Sequence, residues 1–559
     1  MAVIFSEKAF INKQLIFSVH VLDNLRVKFN KIKMKGDFQM RSTAKKIISL
    51  MLACIIVFSV MSVSFSVSAA ERPVVTGRGE TYNHYPEVRV KGFGASSVKI
   101  YYEDDPEQKS LFYPFDKDRF IDNLSNIGSY MLKSIKNGQF NLLRSVIYNY
   151  VMDTLGMLAL NPDGSSMEGV VTEPMGLRYK GDGKYELYYD CRMSPADLAD
   201  YLNEGIEQVF EETDAEKIEL VGSSFGANVV TAYMHKYKEQ LYRVDTVLLR
   251  APSTGGMNFF GELFSGNFNV SPIGLCDFVD DVAEAPIFSD FLYLMEEAGI
   301  LKLFLDCLAE PVLRVAIYSG IADAARDLLS TLPTMWVCIP DEYFIPAMKF
   351  LYGENYADPN HKYAQLIAKV TYYHNEIANK ATEIYLDAEA NNEDLKVAII
   401  AKFGQAAIPL TEGPNTMDDG LVSLPVTSSG ATCTKYGERF ADDYKQQRYP
   451  EYNFMSPEWN IDASTCAFPF RTWFIKNVGH STSPGEYEVL SKEIIHDNID
   501  VFTYENRPQF LLYDEESGAL EALKAPEEEE ETFYDKIFAV FRKLFLLPKT
   551  IFDKLFGRK

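Results

Sequence analysis

The segment Gly222 to Gly226 reads Gly-Ser-Ser-Phe-Gly and follows the pattern Gly-x-Ser-x-Gly in a chain of 559 residues. An apolar strand pattern ending at Val221 precedes it directly, and a helical pattern follows it to about Tyr237. A sharp strand-to-helix turn of this kind projects a serine hydroxyl outward, and its glycines make room for the backbone. The motif therefore predicts that Ser224 is the nucleophile of an acyl-transfer reaction. A glycine-rich turn whose serine has no function is the alternative interpretation.

A serine hydroxyl is a weak nucleophile and needs a histidine base that a carboxylate orients. In hydrolases with this motif, the chain order is serine, then acid, then histidine. His480 follows the strand pattern Trp473 to Ile475, and a loop after a strand is where such a base lies. We therefore predict His480 as the base. His374 lies in a helical insertion and His496 in a helical stretch, so we expect both to be structural.

The predicted acid is Asp419, which follows a later strand pattern, and its neighbour Asp418 stays open as an alternative. The tetrahedral intermediate of acyl transfer needs backbone N–H donors. We predict one donor from Phe225 and another from the turn that contains Phe93 and Gly94, an oxyanion hole. On its own sequence, an ordinary β-turn is the simpler interpretation of that second segment.

Strand and helix patterns alternate up to Leu249, which predicts a mostly parallel α/β sheet with helices on both faces. Residues 257–394 break this alternation with helical, apolar sequence, and strand patterns resume at Lys396. We therefore divide the chain into an N-terminal extension (1–39), a signal peptide (40–70), the first part of a hydrolase core (71–256), a helical cap (257–394), the second part of the core (395–515), an acidic linker (516–532) and a basic amphipathic helix (533–559).

The N-terminal region has the layout of a secretory signal peptide. A basic stretch from Met40 to Lys46 precedes an apolar run, Ile47 to Val67, which ends in small residues at Ala70. We therefore predict a secreted or cell-surface protein. A transmembrane anchor is the alternative, since the run is long enough to span a bilayer. Residues 1–39 do not fit in front of a signal peptide, and we interpret Met40 as the true start.

The C-terminal region pairs an acidic run, Glu527 to Glu531, with a basic aromatic segment. At helical spacing, residues 533–559 gather large apolar side chains on one side and Lys and Arg on the other. Such helices lie in membrane interfaces, so we predict peripheral membrane contact. Docking on the protein's own core is an equal alternative.

Composition excludes some classes of function. The net charge is −24, whereas nucleic-acid binding needs a basic surface. Cys and His residues show no zinc-finger spacing and no glycine-rich phosphate loop is present, so we expect neither metal nor cofactor. Six cysteines follow Ala70. Cys433 and Cys466, both in polar loop-like sequence, are the pair that we expect to form a disulfide.

Together these residues resemble the lecithin:cholesterol acyltransferase-like family of α/β-hydrolase lipases, phospholipases and acyltransferases, discontinuously from about Pro86 to Val501. The most specific mark is the segment Tyr189 to Pro195, Tyr-Asp-Cys-Arg-Met-Ser-Pro, which is similar to the family's Tyr-Asp-Trp-Arg-Leu-x-Pro. Cys191 replaces the family's tryptophan, and Lys91 replaces its proline before the oxyanion glycine.

The resemblance implies an α/β-hydrolase fold and a serine hydrolase that cleaves lipid-type carboxylic esters through an acyl-enzyme on Ser224. It implies an apolar ester as substrate, bound beneath the helical cap. An acyltransferase with an alcohol acceptor is an alternative within enzymes. A catalytically silent surface protein of this fold, which binds lipid or a partner, is an alternative of another class.

Overall fold

The computed structural model describes residues 84–104, 140–267, 271–283, 286–299, 301–302, 305, 319–409, 417–496, 499–503, 507–514 and 517–526. All of them belong to one of the chain's two compact units, Val57–Lys559. The predicted extension, signal peptide and basic amphipathic helix lie outside the described residues, as does the acidic run from Glu527. Within the described part, no helix combines the length and the apolarity that crossing a bilayer requires.

The strands alternate with helices along most of the chain. They are β1 (Glu87–Val90), β2 (Ile100–Tyr102), β3 (Val170–Thr172), β4 (Gly176–Gly181), β5 (Lys184–Tyr188), β6 (Ile218–Ser223), β7 (Val244–Arg250), β8 (Lys396–Phe403), β9 (Thr432–Cys433), β10 (Ile461–Asp462), β11 (Thr472–Lys476), β12 (Phe510–Asp514) and β13 (Ala519–Ala522).

The helices concentrate between β7 and β8. They are α1 (Phe140–Leu155), α2 (Pro195–Thr213), α3 (Phe225–Lys236), α4 (Asn258–Ser265), α5 (Pro272–Ala283), α6 (Pro286–Glu297), α7 (Ser319–Asp327), α8 (Pro333–Trp336), α9 (Asp341–Tyr352), α10 (Ala364–Glu376), α11 (Ala381–Asn391), α12 (Leu424–Thr427) and α13 (Gly485–His496).

Among the described strands, nine form one sheet in the order β13-β12-β11-β8-β7-β6-β1-β5-β4. The strands from β12 to β5 run parallel to one another, and only the two edge strands β13 and β4 pair antiparallel. The prediction of a mostly parallel α/β sheet with helices, in the α/β-hydrolase fold, is confirmed. The central strands read as nearly continuous apolar runs because helices cover both faces of a parallel sheet.

Local sequence explains the element boundaries that matter for the site. Helix α2 begins after Ser194, whose side chain accepts a hydrogen bond from the Ala196 amide, with Pro195 in the first turn. The hairpin between β4 and β5 was not predicted. Its turn residues Asp182 and Gly183 both have positive φ, and β4 is half-exposed along its length, so it lacks a periodic apolar signal.

Most of the described helices between 257 and 394 pack around a cluster that includes Phe264, Trp336 and Phe344. Helices α5 and α6 pack on each other around a smaller cluster that includes Cys276. Helix α11, at the end of this stretch, instead packs on α3 and β8, and the Tyr385 hydroxyl hydrogen-bonds to that of Thr231. Part of the predicted cap therefore covers the sheet itself.

The predicted disulfide between Cys433 and Cys466 is wrong, because both cysteines are free thiols. Cys433 lies in β9, opposite Ile461 of β10. The Cys466 thiol is buried and donates to the Ala463 carbonyl at 3.0 Å. The two thiols are thus directed into separate local contacts.

Candidate active site

Ser224 lies between the end of β6 and the start of α3, at the carboxyl edge of the parallel strands. Its φ of 50° and ψ of −123° place it in a backbone region that side chains rarely adopt. The Ser224 amide donates to the Arg250 carbonyl at 2.9 Å, which ties this turn to the end of β7. The half-buried side chain is thus held at a strained strand-to-helix turn, as a nucleophile elbow requires.

The two glycines of the motif are fixed by close backbone approach. A Cβ on Gly226 would lie 1.9 Å from the carbonyl oxygen of Val90. A Cβ on Gly222 would lie 2.7 Å from the Cα of Ala227. Both positions therefore exclude every other residue, and the helix that follows Ser224 packs directly against the end of β1.

A chain of hydrogen bonds joins the three predicted catalytic residues. Ser224 Oγ lies 2.6 Å from His480 Nε2, and His480 Nδ1 lies 2.7 Å from Asp419 Oδ2. The Asp419 carboxylate is fully buried, and its other oxygen accepts from the amides of Leu421 and Val422. The structure thus brings together the residues predicted as nucleophile, base and acid, in the order of contacts that such a triad requires.

The two adjacent aspartates have different surroundings. Asp419 contacts His480 twice, since the His480 amide also donates to the Asp419 carbonyl at 2.8 Å. Asp418 is buried with its Oδ1 lacking any hydrogen-bond partner among the described residues. Burial and the adjacent charge of Asp419 hold the pKa of the Asp418 carboxyl well above its usual range. Of the two candidates, the structure therefore places Asp419 beside the base.

The turn after β1 lies directly against the nucleophile. A Cβ on Gly92 would be 3.1 Å from the Ser224 Cβ, and the ring of Phe93 lies 6.4 Å from that of Phe225. Gly94 has a φ of 75°, which the turn accommodates because glycine has no Cβ. The predicted oxyanion segments, Phe225 on one side and Phe93 and Gly94 on the other, thus flank Ser224. Their role as donors stays a prediction.

The segment Tyr189 to Pro195 supports this turn. The Tyr189 hydroxyl lies 2.7 Å from the Lys91 carbonyl oxygen and 3.0 Å from that of Gly92. Next to it, buried Arg192 forms a bidentate pair with Asp190. The Tyr189 hydroxyl and the buried ion pair therefore fix the backbone beside Ser224. This contact explains why the segment Tyr189 to Pro195 matters for the site.

Lys402, near the end of β8, holds the loop that carries the base. Its Nζ donates to the carbonyls of Gly479, His480 and Thr482 at 3.2, 2.9 and 2.6 Å. The pKa of Lys402 is lowered to about 7, mainly because the side chain is buried. The charge of Asp419 raises the pKa and the charge of Arg250 lowers it, but both effects are smaller than that of burial. Lys402 was not predicted from the sequence. A lysine inside the apolar run of a central strand is rare, and its position indicated a buried charge with partners.

A second missed residue, Gln405, lies between the acid and base loops. Its side-chain oxygen would be 2.8 Å from a Cβ on Gly420 and 2.9 Å from one on Gly479. The Gln405 amide donates to the Asp418 carbonyl at 3.0 Å. Glycines in both loops therefore let one glutamine side chain approach each of them closely.

An ion-pair network anchors helix α13 behind the base. Glu488 pairs with Arg250 at the end of β7 and with Arg89 of β1. Burial alone would raise the pKa of Glu488, but the charges and hydrogen bonds of the two arginines outweigh it and lower the pKa to about 2. Glu488 therefore stays ionised, and the helix that follows the His480 loop is fixed to the sheet.

The other two histidines considered as bases lie away from Ser224. His374 stacks on Phe344 with ring centroids 3.8 Å apart, and its Nε2 lies 2.8 Å from Asp341. His496 ends α13, near the amino ends of β1 and β6. Neither is placed to activate Ser224.

Part of the chain is similar to a known protein family. Residues 179–273 match the family model described as lecithin:cholesterol acyltransferase. This segment of the chain is similar to that family. It contains both the elbow at Ser224 and the segment Tyr189 to Pro195. The match supports an esterase- or acyltransferase-type hydrolase.

No curated protein matches the sequence. Two solved structures of meta-cleavage product hydrolase variants, one of them from Pseudomonas fluorescens, are similar to part of the chain. They are 16% and 18% identical to it, and each covers 33% of this chain. The matched parts span 72% and 73% of those chains, with TM-scores of 0.11.

Proposed function

We propose that the protein is a serine ester hydrolase that cleaves lipid-type carboxylic esters through an acyl-enzyme on Ser224. The observation that carries this proposal is the hydrogen-bonded chain from Ser224 through His480 to buried Asp419. It lies at a strained turn where glycines admit no side chain. An intact chain of this kind argues against a silent binding protein of the same fold.

The first half-reaction forms the acyl-enzyme. Ser224 Oγ attacks the ester carbonyl carbon while His480 Nε2 accepts the hydroxyl proton, and Asp419 stabilises the imidazolium that results. The amides of Phe225 and of the turn at Phe93 and Gly94 bind the oxyanion. The tetrahedral intermediate then collapses, the C–O bond of the ester breaks, and His480 gives its proton to the leaving alcohol.

The second half-reaction releases the acyl group. A water molecule attacks the acyl carbonyl while His480 takes one of its protons. The second tetrahedral intermediate breaks its bond to Ser224 Oγ, which regains the proton from His480. The products are a carboxylic acid and free enzyme, so no cofactor or metal takes part in the step.

An apolar acyl group is supported by what packs around the loops. Phe93 from the oxyanion turn and Leu421 from the acid loop are both half-buried, and both pack against the helical cluster that contains Phe264 and Trp336. Trp336 is 2% exposed and serves the core of that cluster. Phe304, another large apolar residue of the predicted cap, lies outside the described residues. Phe93 and Leu421 are therefore the apolar side chains that the proposal assigns to the substrate side.

A panel of p-nitrophenyl esters of graded acyl length tests the substrate class. Each buried methylene contributes about 0.8 kcal/mol, so we expect kcat/KM to rise with chain length over the first several carbons. Leu421→Ala should lower kcat/KM severalfold more for a long-chain ester than for acetate. Equal losses for both esters, or no rise with length, would contradict a lipid-type substrate.

Transfer of the acyl group to an alcohol is the second candidate, because the matched family model is named for an acyltransferase. The same acyl-enzyme serves both reactions, and only the nucleophile of the second half-reaction differs. Turnover of one ester in the presence of a long-chain alcohol distinguishes the two. Ester product in excess of free acid indicates transfer, whereas free acid alone indicates hydrolysis.

Location is a separate part of the proposal. Residues 40–70 have the layout of a signal peptide, and 533–559 have that of an interfacial helix. N-terminal sequencing of the exported protein should find cleavage near Ala70. Deletion of 533–559 should abolish sedimentation with anionic liposomes and leave turnover of soluble esters intact. Unchanged sedimentation, or a large fall in thermal stability, would mean that the segment docks on the folded body.

A further inference from the structure

The amino ends of β1 and β6, opposite the Ser224 edge of the sheet, carry two buried carboxylates side by side. Glu87 and Glu219 are direct partners in the parallel pairing of the two strands. Their side chains are 0% and 3% exposed. Two acids at neighbouring positions of a sheet core repel each other and lose hydration, so each needs a compensating group.

Two histidines face these carboxylates. His84 precedes β1 and His496 ends α13, and their rings meet edge to face with centroids 3.9 Å apart. His496 Nε2 lies 3.8 Å from the Oε2 atoms of both Glu87 and Glu219. His84 Nδ1 lies 3.9 Å from Glu219 Oε2. Side-chain atoms from three elements, β1, β6 and α13, and from the segment before β1 thus converge on one point.

Three of these atoms have no hydrogen-bond partner among the described residues. They are Oε2 of Glu87, Oε2 of Glu219 and Nε2 of His496. Arg89 binds the other oxygen of Glu87 and leaves Oε2 directed toward His496. A buried polar atom without a partner costs about 1–3 kcal/mol, and more for a charged group. Three in one place indicate a ligand that satisfies all of them.

We propose that His84, Glu219 and His496 bind a zinc ion, with Glu87 as a fourth ligand. One donor atom from each of the first three already lies within 4.8 Å of the others. Tetrahedral zinc with bonds of about 2.0–2.1 Å sets its ligand atoms roughly 3.3 Å apart. The separations of 3.8 Å between His496 Nε2 and the two carboxylate oxygens therefore need contractions of about half an ångström.

The ligand types select the metal. Imidazole nitrogen and carboxylate oxygen together suit zinc, whereas calcium and magnesium prefer oxygen ligands alone. His84 Nδ1 donates to the Tyr85 carbonyl oxygen at 2.7 Å, so His84 would ligate through Nε2, as a ligating histidine commonly donates its other ring nitrogen to a carbonyl. The sequence analysis expected no metal, because these ligands are too far apart in the chain to form a spacing motif.

Solvent reaches this cluster through a cavity of about 320 Å³ that His84 and His496 line. Lys184, Lys492, Asp182 and Glu493 also line it, and Asp182 pairs with Lys184 at 3.3 Å. An ion can therefore enter from outside without unfolding the sheet. Because the rim carries both positive and negative side chains, the buried carboxylates are the groups that would hold the ion.

The position of the site indicates a structural rather than a catalytic metal. Its ligands come from His84, which lies shortly before β1, from strands β1 and β6, and from the last residue of α13. Helix α13 follows the loop of His480, so a bound ion would fix the far end of the helix that stabilises this loop. The hydrolytic chemistry at Ser224 does not use the ion.

Zinc titration of the full-length protein after EDTA treatment tests this proposal. Isothermal titration calorimetry should show one equivalent of Zn²⁺ bound, and Zn²⁺ should raise Tm. Glu219→Gln keeps the size of the side chain but removes a charged ligand, so affinity should fall about tenfold or more. His496→Gln should weaken binding similarly and provides a second variant if Glu219→Gln folds poorly.

The matched control is His235→Gln, which removes a half-buried histidine on α3, remote from the cluster. It should bind Zn²⁺ as the wild type does, and Ca²⁺ should neither bind nor raise Tm. Absence of zinc binding in the wild type would overturn the proposal. Equal affinity in the wild type, Glu219→Gln and His496→Gln would also overturn it, because the ion would then bind elsewhere.

Discussion

Strands β1 and β6 carry ionisable groups near both of their ends, but the two ends satisfy these groups differently. At the carboxyl end, Ser224, His480 and Asp419 form an unbroken chain of hydrogen bonds, and backbone amides occupy the second oxygen of Asp419. At the amino end, Glu87 and Glu219 each keep a buried oxygen without a partner.

The contrast shows what makes a buried charge usable for catalysis. Because hydrogen bonds occupy both oxygens of Asp419, its carboxylate is held in the position that orients the predicted base. At the amino end, burial and the charge of Glu87 raise the pKa of Glu219 to about 8. The carboxyl end satisfies its buried groups through hydrogen bonds of the chain. At the amino end, Arg89 pairs with one oxygen of Glu87, but the Oε2 atoms of both glutamates keep no hydrogen-bond partner among the described residues.

Removal of the nucleophile or the base should have the largest effect at the carboxyl end. We expect Ser224→Ala and His480→Ala each to lower kcat for a soluble ester by about 10⁴-fold or more, because such residues act as a unit. Steady-state kinetics with circular dichroism as a folding check measures this. His235→Gln is the control and should keep wild-type turnover. A His480→Ala variant that retains turnover would contradict the assignment of the base.

Substitution of the two neighbouring aspartates compares a buried carboxylate whose oxygens are both hydrogen-bonded, Asp419, with one that keeps an unpaired oxygen, Asp418. Asp419→Asn removes the charge that orients His480, and kcat should fall by about 10⁴-fold. Asp418→Asn replaces a carboxyl that does not contact His480 and whose pKa is raised by burial and by the charge of Asp419, so kcat should stay within a few-fold of the wild type. Comparable losses in the two variants would show that Asp418 shares the role of the acid.

Loss of the lysine beneath the base loop should have a smaller effect. Lys402→Met removes three donors to the carbonyls of that loop, and we expect kcat to fall about 10- to 100-fold while KM changes little. Lys476→Met on the adjacent strand β11 is the matched control, since its Nζ pairs with Glu458 away from the loop. Equal kinetics for both variants would contradict a positioning role.

The same lysine should make stability depend on pH in a defined direction. Its pKa falls from an ordinary 10.5 to about 7 in the folded protein, so the unfolded chain binds more protons between these values. Stability therefore rises with pH across that window, and the penalty is complete below pH 7. The free energy of unfolding of the wild type relative to Lys402→Met should increase from about pH 7 to 10. A flat or falling difference would contradict the pKa shift.

The residues at the carboxyl end of β1 and β6 were predictable because the sequence patterns that mark them are local. The glycines around Ser224, the strand pattern before His480 and the cap at Ser194 each depend on a few consecutive residues. Buried central strands are apolar throughout, so β6, β7, β8 and β11 were predictable. The edge strands β4 and β13, and β12 beside β13, were missed, since partly exposed strands mix polar and apolar residues without a clear period.

The amino end was not predictable for a different reason. Strand pairing sets Glu87 beside Glu219, and no sequence pattern gives the register of two strands separated by most of the hydrolase core. Helix packing then brings His496 to the same point. Lys402 and Gln405 were missed in the same way, because their partners belong to loops far along the chain.

Covalent labelling with a fluorophosphonate probe tests the central claim most directly. The probe reacts with a serine hydroxyl only where a base activates it, so we expect stoichiometric labelling of the wild type. Peptide mass spectrometry should place the label on Ser224, with no labelling of Ser224→Ala and full labelling of the neighbouring control Ser223→Ala. Absence of label in the folded wild type, or a label on any other serine, would contradict the account.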